Sequence, residues 1–333
     1  MIPFAQNLKD VTIALLSPVG HDNTRREATL SLKKIFIETV GFDEMDTANH
    51  QNITTPAGMS IAPRWAASCL DDMMRTQKFI LGIRDAIEER LKLNSGKPVV
   101  VLYAGTGPFA TLLTPLITVF TPAQLQMVLV EINPVSVLYL KKTIQHFGMD
   151  EYVIDVVQAD AVTWIISPEM QPDIIVSETM NNALQKEPQV SIVANLLSQC
   201  NRKPVLIPEL IKVDVCLIGD TTKCPQDIQH LKTLIELDAK MAVLINQNPQ
   251  GIPALSQGIT VSIPELPNAK YNQLVLCTFI RVFGQHSLGL NESGLTIPHI
   301  LRMTDSFKKY PVQFMFQYHI DSNPGFRVTE VSQ

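Results

Sequence analysis

Val99-Val-Val-Leu-Tyr103-Ala-Gly105-Thr-Gly107-Pro is a short run of β-branched and apolar residues that ends in two closely spaced glycines. A run of this length, bounded by turn residues, reads as a parallel strand buried on both faces. The pattern repeats downstream. Met127-Val-Leu-Val-Glu131, Val153-Ile-Asp-Val-Val157 and Asp173-Ile-Ile-Val-Ser177 read as three more strands. Val135 to Phe147 reads as a helix stopped by Gly148, and the apolar stretch from Gly107 through Phe120 as another. Strands alternating with helices imply right-handed βαβ units around a parallel sheet.

Upstream, Val11 to Leu16 and Ala28 to Ile37 carry apolar groups at helical spacing, residues 42–60 are polar and turn-rich, and Pro63 to Leu93 reads as one long helix interrupted only by Gly82. After Pro204 the character changes. Val205-Leu-Ile, Lys212–Ile218, Gly258–Ile263, Gln273–Phe283 and Val312–Ile320 read as strands of an antiparallel β-rich region, with Pro225 to Ile245 as a helix between them. Three regions follow: 1–95, mostly helical; 96–204, a doubly wound Rossmann-like α/β domain; and 205–333, β-rich.

Composition narrows the function. The 333 residues are 46% hydrophobic and 18% charged, as expected of a packed protein rather than a disordered one. A net charge of −5 argues against nucleic acid as a partner, because that affinity rests on clustered Lys and Arg. The cysteines, Cys69, Cys200, Cys216, Cys224 and Cys277, form no CxxC pair, so neither a metal site nor a disulfide framework is expected. No apolar run approaches membrane-spanning length, and a cytoplasmic protein is the expectation.

Ligands of open α/β sheets bind beyond the carboxyl ends of the strands. Gly105, Thr106 and Gly107 end the first strand, where glycines allow close backbone approach to a ligand; a plain strand–helix turn is the alternative. The third glycine of a dinucleotide fingerprint is absent, with Phe109 two residues after Gly107, which disfavours a nicotinamide dehydrogenase. Glu131 ends the second strand, where a carboxylate can accept both hydroxyls of a ribose. Asp160, followed by Ala161, comes just after the third strand, placed for an adenine amino group or for an ordinary turn cap. Ser177-Glu178-Thr-Met180-Asn-Asn-Ala-Leu184-Gln-Lys-Glu187 follows the fourth. Two carboxylates bracketing that loop can fold to face each other and match the planar fork of a guanidinium. The alternative is two unrelated glutamates.

This stretch resembles the double-E loop of the protein arginine methyltransferases, S-E-x-M-x-x-x-L-x-x-E, through Ser177, Glu178, Met180, Leu184 and Glu187. Leu70-Asp-Asp72-Met-Met-Arg75-Thr76 is similar to that family's M-L-x-D-x-x-R-T helix. The resemblance runs from about residue 63 to 200. It implies a class I methyltransferase using S-adenosyl-L-methionine, with a lid helix in the N-terminal region and a homodimer as the assembly. Arg75 would hold the cofactor's methionine carboxylate and Glu131 its ribose, beside Gly105, Thr106, Gly107, Asp160 and Ala161. Glu178, Met180 and Glu187 would line the substrate, with the two glutamates catalytic: free arginine, a small guanidino metabolite or an arginine-containing peptide. A non-guanidino acceptor (amine, phenol or carbon nucleophile) and a catalytically silent binding protein are the alternatives. The chain departs from the family at Tyr103-Ala-Gly105-Thr-Gly107-Pro-Phe109, where the pattern D-x-G-x-G-x-G has an acidic residue and a further glycine. No aromatic Y-x-x-Y segment precedes the lid helix. No Thr-His-Trp loop is present either; His286 and His299 are the histidines considered for it, and neither has its flanking residues.

Overall fold

The computed structural model describes residues 3–17, 22–94, 96–219, 227–265, 271–304, 307 and 310–331. Two helices come first, α1 (Pro3–Leu16) and α2 (Asp22–Val40). Their apolar stripes bury Leu8, Leu15, Leu32 and Phe36. The Phe36 ring stacks on Phe109 at 5.3 Å and meets Phe147 edge-on at 5.7 Å, fastening these helices to the α/β unit.

The polar stretch that follows, expected to be loop, contains a small antiparallel hairpin, β1 (Ile53–Thr55) and β2 (Gly58–Ser60). Its two three-residue strands are too short to show an alternation in the sequence. The helix expected from Pro63 to Leu93 is divided into α3 (Pro63–Ser68) and α4 (Met73–Leu93), joined by a 3₁₀ turn at Cys69–Asp71. The break falls at Asp72, whose extended backbone ends one helix and whose side chain caps the next by accepting from Arg75 N at 3.0 Å. Gly82 causes no break. It lies where a Cβ would come within 2.7 Å of Val282, and the absent side chain lets α4 sit close against the β-rich half.

The central sheet is parallel and holds the four strands expected, β3 (Val99–Ala104), β4 (Leu125–Glu131), β5 (Val153–Gln158) and β6 (Ile174–Ser177); β7 (Val205–Ile207), expected in the antiparallel region, instead pairs parallel with β6 as the fifth strand, giving the spatial order β5-β4-β3-β6-β7. The strand order reverses at β3, so the ligand crevice lies over its carboxyl end and that of β6. Helices α5 (Pro134–Phe147) and α6 (Gln189–Ser198) complete the unit. Asn133 caps α5 and Gly148 ends it in the left-handed conformation.

Between β3 and β4 no α-helix forms. Residues 107–120 are turns with one 3₁₀ segment, Thr114–Thr118. Ala110 takes φ 43°, Thr114 Oγ1 donates to Phe109 O at 2.6 Å, and Pro115 lacks an N–H, so three features disrupt the ladder the apolar pattern suggested.

The β-rich half comprises two antiparallel sheets. β8 (Leu210–Ile218), β9 (Ile228–Leu237), β11 (Gln273–Phe283), β12 (His286–Leu288) and β13 (His299–Met303) form one, ordered β12-β11-β8-β9 with β13 also on β11; β10 (Ile259–Ile263), β14 (Val312–His319) and β15 (Gly325–Glu330) form the other. The helix expected over Pro225–Ile245 is instead β9 followed by α7 (Ala239–Gln247), with residues 225 and 226 outside the described set. Pairing with β8 overrides the helical spacing, and Asp238 starts α7 by accepting from Met241 N at 2.8 Å. A further short helix, α8 (Pro253–Ser256), precedes β10. One apolar core runs through all these parts, from Leu8 to Tyr318. Among the described residues no helix is long and apolar enough to cross a membrane.

Candidate active site

A cavity with about 940 Å³ of empty space, counting its open mouth, lies over the carboxyl ends of β3, β4 and β6. Arg75, Gly105, Thr106, Gly107, Glu131, Asp160, Ala161, Glu178 and Glu187 all line it. Met180 does not; it is buried in the core beneath the loop.

The turn after β3 needs its glycines. Gly105 has φ +77°, and a Cβ there would collide with the Thr179 side chain. Glu131, buried at the end of β4, accepts from Gly107 N at 2.7 Å and Asn133 N at 2.8 Å. Burial raises its pKa, and bonds from the backbone N–H groups of Asn133, Gly107 and Ile132 oppose the rise. Each oxygen thus holds one donor while the residue still faces the cavity. Asp160 caps its own turn, accepting from Val162 N at 2.9 Å, and also lines the wall.

Glu178 follows β6 directly and is 9% exposed. Its Oε2 is paired with the Arg75 guanidinium, brought there by the first turn of α4, while its Oε1 is buried without a partner. Burial pushes the Glu178 carboxyl up to about 7, against the pull of Arg75. Glu187 goes higher, to about 8: burial is the main cause, the Glu178 charge adds to it, and Arg75 and Lys186 oppose it. Burial works against the Arg75 charge, but Cys69, Glu178 and Glu187 outweigh it, so Arg75 stays a cation. The wall therefore carries four carboxyl groups and one guanidinium.

The ends of the glutamate loop are tied by a buried amide. Gln189 Oε1 accepts from Thr179 N and Oγ1, both at 2.9 Å, and its Nε2 donates to Ser177 O at 2.9 Å. Residues 71–187 match the family model described as PRMT5 arginine-N-methyltransferase. The chain is protein-arginine-methyltransferase-like. Among solved structures, the Trypanosoma brucei PRMT1 enzyme–prozyme heterotetrameric complex with AdoHcy is similar at 13% sequence identity, covering 80% of this chain and 92% of that one with a TM-score of 0.50; the likeness is one of fold. No curated protein sequence matches the chain.

Several cavity residues had no signal in the sequence. Thr55, Met59, Ser60 and Ile61 come from the β1–β2 hairpin and its exit. Cys69, from the 3₁₀ turn, lines the cavity beside Arg75, and burial pushes its thiol up to about 11. Tyr103 stands at the strand end where the resembled motif is acidic, and burial raises its phenol. Neither considered histidine reaches the cavity: His286 Nε2 is 2.6 Å from Asp85 Oδ2, on the far part of α4, and His299 heads β13. The β-rich half instead braces the start of α4 through Ser293 and Gly294. Ser293 Oγ donates to Asp72 Oδ2 at 2.7 Å and Gly294 N to the same oxygen at 2.8 Å. Among the described residues no group of His, Cys, Asp or Glu is arranged to hold a metal ion.

Proposed function

We propose that the protein is an S-adenosyl-L-methionine-dependent N-methyltransferase acting on a guanidino group held between Glu178 and Glu187. The observation that carries this is the meeting of both glutamates with Arg75 in one cavity, with one Glu178 oxygen buried and unpartnered. In this reading residues 1–95 supply the lid, 96–204 the cofactor site and 205–333 the support for the substrate loop.

The residues present suit the cofactor. The Gly105 turn offers a surface that any side chain would obstruct. Arg75 uses part of its five-donor fork on Glu178 and can spend the rest on a carboxylate. Glu131 is placed for a ribose and Asp160 for an adenine amino group. Bound there, the cofactor supplies an electrophilic methyl group on a sulfonium.

The chain's own part is to bind and aim. Glu178 and Glu187 take the edges of the guanidinium and fix its plane, so that one nitrogen faces the methyl group. Their negative charge keeps electron density on that nitrogen and stabilises the positive charge that develops as it is alkylated. Nitrogen forms the new bond to carbon as the carbon–sulfur bond breaks, and the surplus proton on nitrogen passes to one of the carboxylates. No metal is needed for that displacement. The acceptor is arginine, a small guanidino metabolite or an arginine-containing peptide. We also propose a homodimer in the cytoplasm; the similar structure is itself an oligomeric complex, a heterotetramer, the thiols of Cys69, Cys200, Cys216 and Cys277 are free, and light scattering tests the dimer.

Transfer of a labelled methyl group is to be followed over arginine, other guanidino compounds, amines and arginine-rich peptides. Activity on a guanidino acceptor, lost in Glu178→Gln and in Glu187→Gln, is expected. Failure to bind S-adenosylhomocysteine would overturn the enzyme reading. Turnover and substrate affinity unchanged in Glu187→Gln would overturn the clamp alone.

A further inference from the structure

Between Glu178 and Glu187 the backbone adopts an unusual path. Ala183, Leu184 and Lys186 all have left-handed φ angles, of 54°, 56° and 66°. None is glycine, and such conformations persist only where the surroundings over-determine them. Four hydrogen bonds do so here, and all come from outside the loop. Thr278 Oγ1, on β11, accepts from Ala183 N at 2.8 Å. Tyr318 Oη, on β14, donates to Leu184 O at 2.8 Å. Lys186 N donates to Pro324 O, and Met59 N to Lys186 O, each at 2.8 Å. On the hairpin side, Gly58 lies so close that a Cβ there would be 3.0 Å from Pro188 N and 3.1 Å from Lys186 O.

Two of the four bonds come from side chains, and both side chains are buried, in the β-rich half and away from the cavity wall. We propose that Thr278 and Tyr318 are positioning residues for Glu187, holding its carboxylate in the cavity through the backbone of residues 183–186. The assignment rests on Glu187 being a substrate-binding group. It explains why a β-rich half that contributes nothing to the wall is nonetheless needed to shape it. If the strap is loosened, residues 183–186 relax toward ordinary φ, Glu187 swings toward water, and the opposing carboxylate loses its partner in the clamp.

The test reads Glu187 directly, without substrate. Carbon-13 NMR of glutamate-labelled protein follows the carboxyl titration, with the Glu187 signal assigned by its loss in Glu187→Gln. The groups facing that carboxyl are Glu178, Arg75 and Lys186. Thr278→Val and Tyr318→Phe should each lower its midpoint by roughly one pH unit, a tenfold change in protonation, as it gains water. Thr278→Ser, which keeps the acceptor, should leave it in place. In the transfer assay the same two variants should raise KM for the guanidino acceptor several-fold while KM for the cofactor stays constant. A midpoint unmoved in both variants, or moved equally by Thr278→Ser, overturns the proposal. Should Tyr318→Phe fail to fold, the Thr278 pair decides alone. A shifted midpoint in a protein that methylates no guanidino compound would leave the strap standing and remove the proposed function instead.

Discussion

Binding of a guanidinium should expel a proton from the enzyme. Burial pushes the Glu187 carboxyl up to about 8, with the Glu178 charge adding to it, and pushes Glu178 up to about 7 against the pull of Arg75. At pH 7 a carboxyl with a midpoint of 8 is about 0.9 protonated, and at pH 9.5 about 0.03 protonated. A cation gripped by both carboxylates requires both to be ionised, so about 0.9 proton must leave Glu187 on binding at pH 7 and almost none at pH 9.5. Affinity for the cation should rise about tenfold, roughly 1.4 kcal/mol, between those two values for Glu187 alone. The assay is titration calorimetry of the S-adenosylhomocysteine complex with an active guanidino compound, in buffers of differing ionisation enthalpy. The slope of heat against buffer enthalpy counts the protons. Alkaline pH leaves the guanidinium charged, so the gain cannot come from the ligand. A slope of zero at pH 7, with measurable binding, refutes the reasoning: the glutamates would then be either already ionised or uninvolved.

Three further outcomes follow from the same geometry. Because the folded state raises the Glu187 pKa above its usual 4.5, the native protein retains a proton that the unfolded chain has lost, and stability falls as pH rises from about 4.5 through about 8. Glu187→Gln should therefore melt at a higher temperature than the parent at pH 9 and at a similar one at pH 4; a lower melting temperature at pH 9 would contradict the burial argument. Gly105→Ala should lower the melting temperature, since a left-handed non-glycine residue costs about 1–2 kcal/mol, and should weaken S-adenosylhomocysteine because the new methyl meets Thr179 and shifts the turn; calorimetry showing undiminished affinity would remove Gly105 from the cofactor site. Ser293→Ala deletes one donor to the Asp72 carboxylate that starts α4, at a cost of about 1.5–3 kcal/mol for a bond to a charged group, and should raise KM for the cofactor more than KM for the acceptor.

The nucleotide fold could be read from Val99–Ser177 because parallel strands covered on both faces leave short, continuous apolar runs. The strand-end residues followed from that, since topology alone puts Gly105, Glu131 and Glu178 at one edge of the sheet. Misreadings arose where tertiary contacts override a local pattern. Residues 107–120 are apolar at helical spacing, but Ala110, Thr114 and Pro115 divert the backbone. Residues 228–237 have a helical look and pair as a strand because β8 lies beside them. The role of Ser293 was invisible for another reason. A bond between residues 221 positions apart leaves no periodic trace. Met180 shows the same limit within a motif: its spacing is right, yet it faces the core and not the cavity.

The division between the two halves of the molecule clarifies what a sequence can carry. The wall is lined by residues between 55 and 192, and its ionisable groups all fall in or within two residues of the stretch that matches the arginine methyltransferase model. The stiffness of that wall comes from elsewhere: Thr278, Tyr318, Pro324, Ser293 and Gly294 all touch the loop or the helix start without lining the cavity. In the proposed clamp a carboxyl must be held while it is neutral as well as while it is charged, because burial pushes the Glu187 pKa up to about 8. No ion pair can do that holding. Backbone hydrogen bonds to the loop can, since they do not depend on the state of the carboxyl, and a brace made of hydroxyls and main chain is free to vary in sequence so long as its donors and acceptors stay in place.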